Sequence, residues 1–245
     1  MFPVNLSVNV NKYALLRNSR GRNNPDLLRA IDTCIRAGAH GITVHPRMDQ
    51  RHIQFSDVPL IAHHLKANHP SIEFNIECEN HPYLIDLVCE MRPEQCTLVP
   101  VTPGEVTSDH GFTFPNDRAA LAPSIEAIKA HGIRVSLFAD CVPSSIPAFV
   151  DVGADRVELY TGPYAWAYGT AEHATQQALV EQTAQAAAEF GMNVNAGHDL
   201  DRHNLSGLVA IPNLIEVSIG HAQICRALEV GTTQSVQELL AALNR

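Results

Sequence analysis

The sequence lacks the short motifs by which most cofactor-dependent and metal-dependent proteins are recognised. It contains no Gly-x-Gly-x-x-Gly loop, no Gly-x-x-x-x-Gly-Lys-Ser/Thr loop and no His-Glu-x-x-His pair. Its six cysteines form no Cys-x-x-Cys pair, which is typical of reduced thiols rather than of a disulfide framework or a zinc site. These absences favour a cytoplasmic protein that uses no cofactor and no metal ion.

Positive charge and long apolar runs are also scarce. Only 17 Lys and Arg stand against 26 Asp and Glu, and the resulting charge of −9 argues against nucleic-acid binding. No run approaches the roughly 20 apolar residues of a membrane span, and the first residues lack the basic start and apolar core of a secretory signal. We therefore expect no nucleic-acid partner and no membrane association.

What the sequence does contain is an alternation of short β-type runs with longer helical patterns. The predicted strands are Val4–Asn9, Gly41–His45, Ile72–Ile76, Gln95–Val99, Arg134–Phe138, Arg156–Tyr160, Asn193–Ala196 and Ile215–Ile219. The predicted helices are Pro25–Ala37, Asp57–Ala67, Pro82–Met91, Arg118–His131, Ser144–Val152, Ala171–Phe190, Ala222–Val230 and Ser235–Leu243.

Most of the strand runs are apolar, as expected for parallel strands covered on both faces. With 245 residues, 45% of them hydrophobic, the chain is long enough for one large core. The pattern predicts an α/β protein, a single (β/α)8 TIM barrel spanning residues 1–245, with a doubly wound sheet as the alternative. The aromatic connection at residues 160–170 fits either a lid over a site or a loop packed on the barrel.

Polar residues follow the predicted strands, at the end of a barrel where catalytic groups lie. His45 and His198 can exchange protons near neutral pH, and Glu73 and Glu158 can act with them as partners or bases. Any one histidine is more often a structural residue, but several at one barrel face favour acid–base chemistry. Glu77 competes with Glu73 as the carboxylate of the third strand.

Other residues after the strands suit an anionic ligand. Arg20, Arg47 and His52 lie in predicted loops, and arginine binds phosphate in a bidentate manner. Lys12 fits a phosphate contact better than a Schiff base. Gly197 and Gly220 follow strands at which barrels often bind phosphate through backbone N–H groups. These residues predict a small phosphorylated substrate.

Several segments, in order along nearly the whole chain, resemble the pyridoxine 5'-phosphate synthase family of the deoxyxylulose-phosphate-dependent route to vitamin B6. They are Ser7-Val-Asn-Val-Asn-Lys, Leu16-Arg-Asn-Ser-Arg-Gly, Gly41-Ile-Thr-Val-His-Pro-Arg, Arg51-His-Ile, Leu98-Val-Pro, Glu105-Val-Thr, Val135-Ser-Leu-Phe, Glu158-Leu-Tyr-Thr-Gly, Val194-Asn-Ala-Gly-His and Ile219-Gly-His. The resemblance implies a TIM barrel with additional helices. It also implies a metal-free, ring-closing condensation of 3-amino-2-oxopropyl phosphate with 1-deoxy-D-xylulose 5-phosphate, which yields pyridoxine 5'-phosphate, phosphate and water.

The resemblance also implies roles for individual residues. His45 and Glu73 would accept protons, His198 would donate one, and Glu158 would stabilise charged intermediates. The amino-oxopropyl phosphate would be contacted by Asn9, Arg20, Asp199, Gly220 and His221. The deoxyxylulose phosphate would be held by Asn11, Lys12, Arg47, His52 and Thr107.

The chain departs from the family pattern at two places. Many members have Asp-His where this chain has Asn11-Lys12, and Gly where it has Asp199, which adds a negative charge beside a phosphate site. The resemblance further implies a homo-octamer, a tetramer of dimers, with an arginine, here Arg20, crossing into a neighbouring site. Two other functions stay open: a different phosphosugar aldolase or isomerase, and a non-catalytic barrel that binds phosphorylated metabolites.

Overall fold

Eight parallel strands close into a barrel in the order in which they occur along the chain. The computed structural model describes residues 4–102 and 104–244. The strands are β1 (Asn5–Asn9), β2 (Gly41–Val44), β3 (Glu73–Cys78), β4 (Gln95–Leu98), β5 (Arg134–Ala139), β6 (Arg156–Tyr160), β7 (Asn193–Gly197) and β8 (Leu214–Ile219). The barrel closes between β1 and β8, where Ser7 pairs with Ser218. Closure confirms the (β/α)8 barrel and rules out the doubly wound sheet.

Helices surround the barrel. They are α1 (Asn11–Asn18), α2 (Leu27–Arg36), α3 (Asp57–Asn68), α4 (Pro82–Met91), α5 (Arg118–Ala130), α6 (Ile146–Asp151), α7 (Gly162–Ala167), α8 (His173–Glu189), α9 (His221–Val230) and α10 (Thr232–Leu243). The start of α2 is fixed by a side-chain cap, because the Asp26 carboxylate accepts from the Arg29 N–H at 2.9 Å. No helix in the described part of the chain is both long and apolar enough to cross a membrane.

Each predicted strand is present to within two residues at either end. The predicted helix Ser144–Val152 is a 3₁₀ turn (Pro143–Ser145) followed by α6. Two helices were not predicted. α1 is polar along much of its length and carries residues that the sequence analysis assigned to a ligand, and α7 lies in the aromatic connection. Both are held by burial of one face, through Tyr13 and Ala14 in α1 and Tyr164 in α7.

The interior of the barrel is polar, although most of the strand runs are apolar overall and the strands are covered on both faces. On β1, Leu6 and Val8 are fully buried, while Ser7 between them places its hydroxyl 2.7 Å from that of Thr43 on β2. Outward-facing side chains such as Leu6 each contribute about 1.5–3 kcal/mol by burial against the helices. Inward-facing side chains are stabilised by hydrogen bonds to one another, because a buried polar group without a partner is costly.

Candidate active site

A cavity of about 410 Å³ opens at the carboxyl ends of the strands. We call it the mouth of the barrel. The mouth collects nearly all the residues that the sequence analysis selected, and those that line it are Asn9, Asn11, Lys12, His45, Arg47, His52, Thr107, Glu158, His198, Asp199, Gly220 and His221. Parallel strands deliver them together because their carboxyl ends meet at one rim.

Glu73 is one of the two residues that do not lie there. It is the first residue of β3, at the amino end of the barrel, where its carboxylate is paired with Arg134 and lies 3.8 Å from the Arg156 guanidinium. Glu77 lies near the carboxyl end of the same strand and lines the mouth. The choice of Glu73 is therefore corrected to Glu77, since Glu73 is separated from the mouth by the length of β3.

Arg20 is the other residue outside the mouth. It follows α1 and is exposed at the surface of the chain. Arg20 therefore does not line the cavity of its own chain, which Asn9 and Gly220 do line.

His45 is held from two sides. Its Nδ1 lies 3.4 Å from Glu77 Oε2, and its backbone N–H donates to the Asn11 side-chain oxygen at 2.9 Å. Asn9 makes a long contact of 3.5 Å from its amide nitrogen to the same Glu77 oxygen. His45 Nε2 is buried and has no partner among the described residues. The free nitrogen is thus available to a ligand, while Glu77 contacts the ring and Asn11 holds the backbone of His45.

Glu158 is buried inside the barrel below the mouth, with 3% of its surface exposed. Its Oε1 occupies the space that a side chain on Gly197 would take, since a Cβ there would lie 2.3 Å from this oxygen. Burial, with the nearby charges of Glu77 and Glu216, raises the pKa of the Glu158 carboxyl well above its usual range. Burial thus favours the protonated form of this carboxyl, and its Oε2 has no hydrogen-bond partner among the described residues.

His198 lies at the end of β7 against a small apolar cluster of Val99, Phe138 and Tyr160. Its ring centroid is 5.5 Å from that of Phe138 and 5.3 Å from that of Tyr160. Burial lowers the pKa of His198, although the charges of Glu77 and Asp199 act in the opposite direction. Burial therefore favours the neutral imidazole, and the protonated form gives up its proton more readily than an exposed imidazolium does.

The backbone at His198 and Asp199 is left-handed, with φ of 78° and 58°. Glycine adopts this conformation most readily, which gives a physical reason for the glycine that the resemblance implies at this position. Here the Asp199 carboxylate is held by the Trp166 indole N–H at 2.8 Å. Trp166 belongs to α7, so the aromatic connection is in contact with the mouth.

Tyr164 shows that this connection is packed on the barrel: it is buried, and its hydroxyl donates to the Asn204 carbonyl. Residues 160–170 were expected to form either a lid over a site or a loop packed on the barrel, and Tyr164 is packed on the barrel.

One wall of the mouth is cationic. Arg47 is buried and donates to Glu105 Oε1 at 3.3 Å and to the Ser108 hydroxyl at 3.1 Å. Arg51 donates to the carbonyls of Glu105 and Val106, both at 3.1 Å. Both guanidinium groups thus hold the loop after β4, which also carries Thr107, beside the mouth.

His52 lines the mouth beside these guanidinium groups. Burial, together with the charges of His45 and Arg47, lowers the pKa of His52 to about 3. Its Nδ1 accepts from the backbone N–H of Ile53 at 2.9 Å, so the ring proton is on Nε2. His52 is therefore a neutral hydrogen-bond donor.

On the opposite side the mouth is bounded by the start of α9, which begins at His221 with Gly220 as its N-cap. The first N–H groups of a helix have no partner within the helix and bind anions. A Cβ at Gly220 would lie 2.9 Å from the Asn9 carbonyl oxygen, so glycine allows β1 and β8 to approach.

Sequence reasoning did not select Ser108, Phe138 or Ser218, which also line the mouth. The signal for Phe138 and Ser218 is the period of two along β5 and β8, which puts every second residue inside the barrel. Nothing local marks Ser108, because its position depends on the fold of a long loop.

The fold and the mouth define a class: a (β/α)8-barrel enzyme with proton-transfer and anion-binding groups at the carboxyl ends of its strands. The model of the family described as pyridoxal phosphate biosynthesis protein PdxJ matches residues 6–245. The chain belongs to this family.

Curated relatives agree. Pyridoxine 5'-phosphate synthase of Xanthomonas oryzae pv. oryzae (strain MAFF 311018) is 51% identical over 242 residues, covering 96% of this chain and 94% of the relative. The protein of the same name from Albidiferax ferrireducens is 49% identical over 244 residues, covering 97% and 96%. Among solved structures, phosphoribosyl anthranilate isomerase from Thermus thermophilus aligns with a TM-score of 0.62 at 14% identity, covering 98% of each chain. This last likeness concerns the fold alone.

Proposed function

We propose that the protein is a pyridoxine 5'-phosphate synthase, which condenses 3-amino-2-oxopropyl phosphate with 1-deoxy-D-xylulose 5-phosphate and releases phosphate and water. The observation that carries this proposal is that one cavity holds His45, Glu77, Glu158 and His198 between a cationic wall and a helix N-terminus. Two phosphorylated substrates need two anion sites, and ring closure between them needs several proton transfers. Family membership supports the same reaction.

His45 is the proposed base, acting through its free Nε2. Glu77, 3.4 Å from Nδ1, orients the ring and stabilises the imidazolium that forms when Nε2 takes a proton. Glu77 thus takes the place that the sequence analysis gave to Glu73. Acid–base groups in these positions need no metal ion.

Glu158 and His198 are the proposed acids. Burial and the charges of Glu77 and Glu216 raise the pKa of Glu158, and in its protonated form this carboxyl would donate a hydrogen bond to negative charge that develops on an intermediate. His198 would first accept a proton as a neutral imidazole, and the imidazolium would then donate it to a leaving hydroxyl, a release that its lowered pKa favours.

The two phosphate groups would bind on opposite sides of the mouth. The start of α9, with Gly220, His221 and Asn9, would take the amino-oxopropyl phosphate, and Asp199 lies beside this position. The cationic wall would take the deoxyxylulose phosphate through Asn11, Lys12, Arg47, His52 and Thr107.

We also propose an assembly and a location that rest on the resemblance. Residues 1–245 would form one catalytic domain, of which 1–3, 103 and 245 lie outside the described residues. Eight copies would assemble as a tetramer of dimers, with Arg20 completing the site of a neighbour. Arg20 is exposed and does not line the mouth of its own chain, which is consistent with that role. A cytoplasmic location is supported by six free cysteines.

The test is to mix the purified protein with both substrates and to follow pyridoxine 5'-phosphate by its ultraviolet absorbance and phosphate release in parallel. We expect both products in equal amounts. Turnover of a single phosphosugar would instead indicate an aldolase or isomerase. Binding of both substrates without product would indicate a non-catalytic barrel.

A further inference from the structure

We propose that Asp32, His64 and His69 form a binding site for a divalent transition-metal ion on the outer surface, between α2 and α3. We call this group the α2–α3 triad. It lies far from the mouth: α3 leads into the amino end of β3, whereas the mouth is at the carboxyl ends of the strands.

The three side chains converge on one point. Nε2 of His64 lies 2.7 Å and Nε2 of His69 lies 2.9 Å from the same Asp32 oxygen, Oδ1. One ligand atom from each residue lies within 4.8 Å of the others. Ligand atoms around a tetrahedral zinc ion bound at about 2.0–2.1 Å are about 3.4 Å apart, so a small movement of the rings admits an ion.

The end of α3 brings the two histidine rings together. His64 is in the last turns of α3, and His69 is the residue after the helix, with φ −140° and ψ 55°. Five residues apart, two side chains on a continuous helix would not share a face. The end of the helix at Asn68 turns the His69 ring back until its centroid is 5.6 Å from that of His64. Asp32 completes the triad from the middle of α2.

Charge and exposure suit a cation. Burial opposes ionisation of Asp32, but the hydrogen bonds from His64 and His69 outweigh it and lower the pKa of the carboxyl. The side chains of Asp32, His64 and His69 are 28%, 19% and 23% exposed. An ion can therefore reach the triad from solvent and keep water molecules as its remaining ligands.

The ligand atoms select the class of ion. Two imidazole nitrogens and one carboxylate oxygen suit zinc, cobalt, nickel or copper, whereas magnesium and calcium require mainly oxygen. On the far side of the His64 ring, the Asn68 amide lies 3.2 Å from Nδ1. Metal-bound histidines commonly donate from the other ring nitrogen to an acceptor, so binding of an ion at His64 Nε2 would require the Asn68 amide to turn its oxygen towards Nδ1.

The test is a titration of the full-length protein, without a histidine tag and stripped of metal, with Co²⁺ followed by visible absorption. We expect one Co²⁺ bound per chain, with a spectrum of nitrogen and oxygen ligation. His64→Ala and His69→Ala should each weaken binding at least tenfold. His63→Ala is the matched control, because His63 is exposed on the same helix and outside the triad. Circular dichroism verifies that each variant is folded.

A second group with equally close ligand atoms, Glu105, Asp109 and His110, lies in the loop after β4. Since Glu105 already accepts from Arg47, we expect His110→Ala to leave Co²⁺ affinity unchanged. The proposal is overturned if Co²⁺ shows no saturable binding, if His64→Ala binds as the unaltered protein does, or if His110→Ala alone removes binding. None of these outcomes depends on the proposed synthase activity.

Discussion

Glu73 and Glu77 lie at the two ends of one strand, and the same substitution at each should have opposite consequences. Glu77→Gln removes the charge that orients His45, so we expect kcat to fall by about 10²–10⁴-fold with little change in melting temperature. Glu73→Gln weakens the pairing with Arg134 and should lower the melting temperature while kcat stays within a few-fold. Steady-state kinetics and thermal unfolding of both variants check this. A catalytic loss in Glu73→Gln alone would restore the original assignment.

His52 should make the protein sensitive to acid. Its pKa is about 3 in the folded protein and 6.5 as a free side chain. As the pH falls below about 6.5 the unfolded chain takes up a proton that the folded chain refuses, so the free energy of unfolding decreases towards pH 3. His52→Asn should reduce the loss of stability between about pH 7.5 and about pH 5, measured by urea unfolding. His63→Asn is the control, and an equal change in both variants would contradict the assignment to His52.

Asp199 should weaken the binding of amino-oxopropyl phosphate, because its carboxylate lies beside the proposed anion site. Asp199→Gly removes the charge and suits the left-handed backbone, so we expect KM for this substrate to fall several-fold. Trp166, the single tryptophan, donates to Asp199, and its fluorescence reports the loss of this hydrogen bond. Trp166→Phe separates the effect of the hydrogen bond from that of the charge. An unchanged KM in Asp199→Gly would place the phosphate elsewhere.

At the scale of the element, the Glu158 side chain on β6 occupies the space beside position 197 of β7, because Gly197 has no side chain. A methyl group there would meet Glu158 Oε1 at 2.3 Å. Gly197→Ala should therefore displace the Glu158 carboxyl, lowering kcat and costing about 1–3 kcal/mol of stability. The double variant Gly197→Ala with Glu158→Ala should recover stability but not activity, as urea unfolding and kinetics would show. If the double variant is no more stable than the single one, the two positions are not in conflict.

The order and type of the strands could be predicted from sequence, but their ends were predicted only to within two residues. This matters for the site, because its residues lie at the carboxyl ends of the strands. The predicted third strand, Ile72–Ile76, placed Glu73 near its amino end and Glu77 just beyond its carboxyl end, so the strand pattern was compatible with Glu77, and the role given to Glu73 came from the resemblance. Glu73 and Glu77 are four residues apart, and at about 3.3 Å per residue the two positions lie about 13 Å from each other along the strand. α1 and α7 were missed because each buries only a few side chains, which a short sequence pattern does not reveal.

At the scale of the whole molecule, the proposed crossing of Arg20 can be tested by mixing two inactive variants. Arg20→Ala would lack the residue given to a neighbour, and Glu77→Gln would lack its own carboxylate. When the two variants are mixed in equal amounts and exchange subunits, some sites combine an intact mouth with an intact Arg20 from the neighbour. If the pairs are isologous, about a quarter of all sites are complete in this way. Recovery of about that fraction of activity supports the crossing. Two variants that remain inactive after verified exchange would show that each site is complete within one chain.

The loop after β4 is held by the same guanidinium group that the proposed mechanism offers to a phosphate. Arg47 donates to Glu105 and Ser108 and has a limited number of N–H groups to share. In the proposed complex, the deoxyxylulose phosphate and the Glu105 carboxylate compete for this residue. Loop position and substrate affinity are then thermodynamically linked: any change that tightens the Arg47–Glu105 contact weakens the ligand by the same free energy, and the bound ligand loosens the loop in return.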